Sequence, residues 1–260
     1  HAFIDIYKIL LLVIISACLY GGGIVFNDVF DITTDETERP DRPLPSGNIS
    51  KRDALYLGVI LFLTALLCAC LVNATSVCIS IVIIALIMSY NAWTKTVPAI
   101  GTLNMGLCRF FNLMLGLSII PASISTYWMF PLILMIYVML ITALSKQEVK
   151  GEQRWKIVFV ISCFIGLVFF TGSLSVKGIL PNHAMHGLLF IFTLIVLWPM
   201  GKAVINPCPK SIQSTIKTMV LSIIILDACF VMGATNGLHA LVVLALLVPA
   251  SIISRYLYVT

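Results

Sequence analysis

Asn27, Asp31 and Asp35 stand at i, i+4 and i+8 within Asn-Asp-Val-Phe-Asp-Ile-Thr-Thr-Asp. If that stretch is helical, they line one face. Carboxylates at this spacing repel one another, and near lipid each costs up to roughly 3 kcal/mol. A hard divalent cation relieves both penalties, and magnesium held by one or two carboxylates plus substrate phosphate oxygens suits the ligand set. A solvated juxtamembrane loop is the plainer alternative. Against it stands the next segment, Glu38-Arg39-Pro40-Asp41-Arg42-Pro43-Leu44-Pro45-Ser46-Gly47. Its two Arg-Pro steps set phosphate-seeking guanidinium groups on a stiffened backbone beside the carboxylates.

Further along, Tyr90-Asn91-Ala92-Trp93-Thr94-Lys95 ends an apolar run. Lys95 is placed to meet a phosphate at the same depth, or to snorkel beside an interfacial Trp93. Arg109 lies inside an apolar run between Asn104 and Asn112. An arginine within a membrane span marks a functional site by default, and Arg109 and Asn112, at i and i+3, are expected to face the bundle interior together. The plainer reading of that pair is a hydrogen-bonded structural knot. Ser145, Glu148 and Glu152, at i, i+3 and i+7, form either a second, poorer cation site or a solvated loop of mixed charge. Asp227 is the one carboxylate deep in a late apolar run, open to pairing with a cation, lining a cavity or packing helices. His183 and His186 lack the further ligands a metal needs and read as interfacial.

These groups must be positioned by membrane helices. Of 260 residues, 60% are hydrophobic and only 10% charged, and the mean hydropathy is +1.07. Too few charges are present to cover a water-soluble surface, so the solvent is lipid. Nine apolar runs of spanning length are expected near 3–26, 54–72, 74–91, 102–119, 127–144, 155–174, 184–203, 214–233 and 238–258. They show no period-two alternation, which excludes a β-barrel. Pro and Asn fall between them as breakers. The fold class is an all-α integral membrane protein, one polytopic domain over 1–260. The chain begins at His1 rather than Met, so some N-terminal sequence is expected to be missing.

Thirteen of the sixteen Lys and Arg fall on one side of this arrangement, two on the other, and Arg109 lies within a span. By the positive-inside rule the loops at 27–53, 92–101, 145–154 and 204–213 are cytoplasmic, as in a bacterial inner membrane. The net charge of +5 is then a topology signal and not a nucleic-acid footprint. Seven of the eleven acidic residues fall between Asp28 and Asp53, so chemistry is expected there. Seven of the eight cysteines lie in apolar runs, Cys208 alone in a loop, and all read as free thiols.

The pattern N-D-x-x-D-x-x-x-D at Asn27–Asp35, followed by E-R-P-x-R-P-L-P-S-G, resembles the first aspartate-rich motif of the UbiA superfamily of intramembrane prenyltransferases. The likeness extends through Tyr90–Lys95 and Met105–Arg109. The run Cys108 to Gly116 and an aspartate-poor second loop look most like the EboC-like branch. The resemblance implies a ring of helices around a central cavity open laterally to lipid, with Mg2+ bridging an isoprenyl diphosphate. Carried onto this chain, Asn27, Asp31 and Asp35 match the first metal motif, and Lys95 the basic residue on diphosphate. Asp31, Asp35 and Lys95 are the expected catalytic residues, and Arg39, Arg109 and Asn112 are expected to join Asn27 and Lys95 around the diphosphate. The second family motif is rich in aspartate, whereas here the corresponding loop has none, leaving Glu148 and Glu152 as the expected metal ligands. The implied activity is magnesium-dependent transfer of an isoprenyl group to an aromatic or lipophilic acceptor. Two alternatives stay open: a binder or carrier of the diphosphate that transfers nothing, and cyclisation onto the substrate's own double bond. No inverted repeat supports a transporter. Expected partners are the diphosphate, the acceptor and membrane lipid.

Overall fold

The computed structural model describes residues 6–145, 154–235 and 237–257, all of whose regular elements are helical. The longer ones are α1 (Ile6–Glu38), α2 (Lys51–Val72), α3 (Ala74–Ala92) and α4 (Pro98–Leu117). After the single turn α5 (Ile124–Tyr127) come α6 (Met129–Ser145), α7 (Arg154–Val176), α8 (Met185–Ile205) and α9 (Pro209–Ala234), then α10 (Gly237–Ala245) and α11 (Leu247–Leu257). Eight helical stretches are long and apolar enough to cross a membrane, with 237–254 counted as one. The pair 121–127 and 129–145, bent by 62°, makes a ninth if taken as one span. This bent pair falls where the fifth span was expected. With 17 residues, α6 reaches only about 25 Å of a hydrocarbon core of about 30 Å. Large apolar side chains face outward, among them Phe169 at 74% and Leu67 at 69% exposure, as lipid allows and water does not.

Two compact units divide the chain, His1–Met135 and Ile136–Thr260. In the first, α1 packs along α2 and α3, and α3 along α4. The expected first span continues unbroken to Glu38, because no proline interrupts it. At 33 residues it is about 50 Å long and outruns the membrane core by about 20 Å. Its core-facing stripe of Leu12, Ile15, Leu19 and Phe26 meets Phe62, Ala65 and Ala69 of α2 and Ile83 of α3. Glycine permits the closest approach: a Cβ on Gly22 would sit 2.5 Å from the Phe62 ring, and one on Gly58 2.7 Å from Phe26. The two rings stack at 5.1 Å between centroids. At the far end Asn73 caps α3 by accepting from the Ser76 N–H, while its Nδ2 donates to the Ser118 carbonyl at the end of α4.

The second unit is tied differently. Tyr137, Phe164 and Phe192 form a buried aromatic cluster with centroids 5.5–6.0 Å apart. The Tyr137 hydroxyl lies 2.7 Å from Ser222 Oγ and donates to the Met219 carbonyl at 3.1 Å, so the ring's polar tip is satisfied inside α9. His183 and His186 stack at 5.9 Å, and His183 Nδ1 is 3.1 Å from Ser175 Oγ. Asp227 is half-buried in α9.

Candidate functional site

Every polar group of the candidate site described below belongs to the first unit. At about 100° per residue, Gly23, Asn27, Asp31, Asp35 and Asp28 follow one another around about 140° of α1. Each end of this arc meets a different neighbour. Gly23 lies against Ile87 of α3, 3.5 Å from where its Cβ would be. Two turns on, Lys95 Nζ donates to Asp31 Oδ1. At the other end Arg42 Nη1 donates to Asp35 Oδ2 at 2.7 Å and contacts Asp28 Oδ1 at 3.4 Å. Asp35 is buried, at 6% exposure, and its charge is held by that guanidinium.

Arg42 reaches back because the connection between α1 and α2 is a closed turn. The Ser46 N–H donates to the Arg42 carbonyl and the Ile49 N–H to the Pro43 carbonyl. Gly47 adopts φ +75°, a conformation that costs glycine little. Ser50 caps α2 by accepting from the Asp53 N–H. Under this turn, Asp28, Asp35, Arg42, Leu44 and Leu57 line a pocket of about 250 Å3. Arg39 is exposed and contributes its backbone N–H to the Asp35 carbonyl. Arg42, rather than Arg39, is the guanidinium that meets the carboxylates.

Lys95 rides on a break between α3 and α4. Trp93 leaves the helix, Thr94–Thr96 form one 3-10 turn, and Pro98 opens α4. Asn104, buried in α4, donates through Nδ2 to Ser89 Oγ at 2.9 Å and Thr94 Oγ1 at 3.1 Å. It thereby clamps both sides of the break, and its own Oδ1 accepts from the Cys108 thiol at 3.6 Å. Asn91, one turn before Lys95, is 3% exposed, yet its Oδ1 has no hydrogen-bond partner among the described residues. An unpaired buried carbonyl oxygen costs about 1–3 kcal/mol.

Arg109 and Asn112 are not enclosed together in the bundle interior as their spacing suggested: Arg109 is exposed and Asn112 half-buried, and each meets α1 at a deeper level. The Arg109 guanidinium lies 5.8 Å from the centre of the Tyr20 ring, and Ser16 Oγ donates to Asn112 Oδ1 at 2.7 Å. Tyr20 and Ser16 lie 11 and 15 residues before Asp31, roughly 16 and 22 Å along the helix. Asn112 therefore sits too far from Asp31 to share one diphosphate with it. Instead it opens on a groove of about 360 Å3 between α1 and α4, with apolar walls that include Ile9, Val13, Leu115 and Ile119.

The donor set suits magnesium: carboxylate and amide oxygens on one helix arc, plus a buried, unsatisfied carbonyl oxygen on the facing helix. The carboxylates are turned to Lys95 and Arg42, and no three metal-ligating side chains converge among the described residues. Glu148 and Glu152, expected as further ligands, lie outside the described residues. The sequence pattern points to Arg42 only as one of two Arg-Pro guanidinium groups, with Arg39 as the expected diphosphate partner, and it assigns no site role to Asp28, Asn91 or Asn104. The second Arg-Pro step was a signal for Arg42, and the Tyr-Asn dipeptide a weaker one for Asn91.

A model described as the UbiA prenyltransferase family matches residues 1–154. A digeranylgeranylglyceryl phosphate synthase of Methanothrix thermoacetophila is 35% identical over 41% of this chain and 40% of its own length. One from Sulfurisphaera tokodaii is 30% identical over 57% of the chain and 52% of the relative. The match to the Thermococcus sibiricus protein of the same name is weaker, at 27%, but covers 88% and 85%. The chain thus spans about half or less of the first two relatives. A solved structure reported for digeranylgeranylglyceryl phosphate synthase in membranes superposes with a TM-score of 0.68 at 21% identity, over 88% of this chain and 86% of that one. This is a likeness of fold. The relatives are archaeal, so a bacterial inner membrane has no support from them, while the multi-pass membrane character stands.

Proposed function

Because the chain belongs to the UbiA prenyltransferase family, we propose that it transfers an isoprenyl group from an isoprenyl diphosphate to a lipophilic acceptor, and that the acceptor is a glyceryl phosphate lipid. The acceptor class rests on the name of the relatives, which make digeranylgeranylglyceryl phosphate. The observation that carries the reading is the arc of Asn27, Asp31, Asp35 and Asp28 facing two cations, Lys95 and Arg42, at the end of a membrane helix. Such an array offers carboxylates to a metal and ammonium and guanidinium groups to a diphosphate within one site.

Asn27, Asp31 and Asp35 would hold a magnesium ion. Bound there, it would supply positive charge to the departing diphosphate. Lys95 and Arg42 exchange their carboxylate partners for diphosphate oxygens and stabilise the negative charge that grows as the allylic C–O bond breaks. Asn104 holds the turn that carries Lys95, so the ammonium is aimed before substrate arrives. The groove between α1 and α4, with its apolar walls, gives the isoprenyl chain a dry path away from the carboxylates. Arg109 and Tyr20 stand along that path, at a level separate from Asp31.

The test is reconstitution in lipid with Mg2+, geranylgeranyl diphosphate and geranylgeranylglyceryl phosphate, with the product read by mass spectrometry. Product that disappears in Asp31→Asn and Asp35→Asn supports the reading. Equal product from both variants excludes it. Diphosphate binding without product from any acceptor favours a carrier instead.

A further inference from the structure

Among the described residues, one buried side-chain atom has no hydrogen-bond partner: Asn91 Oδ1. Its neighbours in the same class are satisfied. Ser76 meets Ser118, Ser80 donates to the Ser76 carbonyl, and Asn104 bridges Ser89 and Thr94. Asn91 continues the buried stripe of α3 formed by Ser76, Ser80 and Ile83. Its level is bracketed on both sides. One turn toward the membrane, Ile87 lies 3.5 Å from where a Cβ on Gly23 of α1 would be. One turn toward the loop, Lys95 holds Asp31. Asn91, one turn beyond Ile87 on α3, is thereby placed at the level of Asn27, one turn beyond Gly23 on α1, and Lys95 on the following turn meets Asp31 further along.

A carbonyl oxygen can only accept, so what completes Asn91 is a donor or a cation. Beside Asn27 and Asp31, a hard cation fits both the oxygen and the carboxylates. We infer that Asn91 is a further ligand of the metal site, supplying an amide oxygen from α3 opposite the aspartate motif of α1. The inference rests on the magnesium site proposed above. It gives the site a ligand from a second helix, within the first unit.

Mn2+ binding to the full chain in lipid nanodiscs, titrated by electron paramagnetic resonance with and without inorganic diphosphate, tests it. Asn91→Leu is expected to raise the Mn2+ Kd about tenfold, while Asn91→Asp, which keeps an oxygen and adds charge, holds or tightens it. Asn91→Cys is expected to lose Mn2+ and gain Cd2+, since a thiolate is a soft ligand; a purely structural asparagine would show no such exchange. Melting temperatures establish that each variant is folded, and if Asn91→Leu is not, Asn91→Cys carries the test. An unchanged Mn2+ Kd in Asn91→Leu, or no gain of Cd2+ in Asn91→Cys, overturns the inference. If Asp31→Asn weakens Mn2+ binding and Asn91→Leu does not, the inference alone fails. If the unmodified protein binds no Mn2+, the magnesium site fails and the inference with it.

Discussion

Helix α1 meets α2 and α3 along two seams of opposite chemistry. Toward α2 it offers Gly22 and Phe26, which interlock with Phe62 and Gly58 in a dry, stacked contact. Toward α3 it offers Gly23 beside Ile87 and, two turns on, Asp31 beside Lys95, with Asn27 on the turn between. The first seam is built of complementary shapes with nothing left to satisfy. The second ends in charges and one unsatisfied oxygen. Packing strength and the proposed reactivity thus lie on neighbouring faces of one helix, about a quarter-turn apart, and single substitutions can separate them.

The largest effect is expected on the polar seam. Asp31→Asn should lower kcat/KM for transfer by about 10²–10³, as for loss of one electrostatic stabiliser of a transition state, with little change in thermal midpoint. A fall in stability of matching size would show that the two seams are not separable. Next, Gly22→Ala forces a methyl group to within 2.5 Å of the Phe62 ring. This overpacking should cost about 1–3 kcal/mol in unfolding free energy, and Phe62→Leu in the same chain should restore part of it. Turnover per folded molecule should hold. Smaller still, Arg42→Gln should raise KM for the diphosphate donor about tenfold, as expected for charged hydrogen bonds. Arg39→Gln should change it less than about twofold, since an exposed side chain is screened; the reverse order would exchange their roles. The smallest effect is a labelling rate. Hydrogen bonds from the Ser211 N–H and hydroxyl hold the Cys208 thiol below its ordinary value. More thiolate is therefore present at pH 7 than in an unperturbed thiol, and the excess fades as pH rises past the ordinary thiol range. An impermeant maleimide should label Cys208 first, and from the cytoplasmic side only, which also tests the assigned orientation.

The helices, the α1 face and Lys95 are legible in the sequence because they rest on local rules: apolar run length, a four-residue spacing and a basic residue at a span's end. Arg42 is not legible as the partner of Asp35, because its return depends on turn hydrogen bonds and the positive φ of Gly47. Arg39 and Arg42 share the same dipeptide context, and only the folded turn distinguishes them. Asn91 looks like an ordinary helix-end polar residue until α3 is laid against α1 and its oxygen is enclosed. The depth of Arg109 and Asn112 fails for a related reason. Position within a span gives a level only relative to its own ends, and the contacts to Tyr20 and Ser16 reset it. Tertiary register, not residue type, is what the sequence withholds.

The unbroken course of α1 from Ile6 to Glu38 makes it a stiff shaft with the site at one end. Shafts transmit angle as well as length. One residue inserted between Ser16 and Asn27 would turn the carboxylate arc by about 100° against the deep contacts, swinging Asp31 away from Lys95. Seven inserted residues, nearly two full turns, would restore the angle to within about 20° and only lengthen the lever. The phase of this helix, as much as its ligands, keeps the carboxylate arc in agreement with the deep contacts at the other end of the shaft.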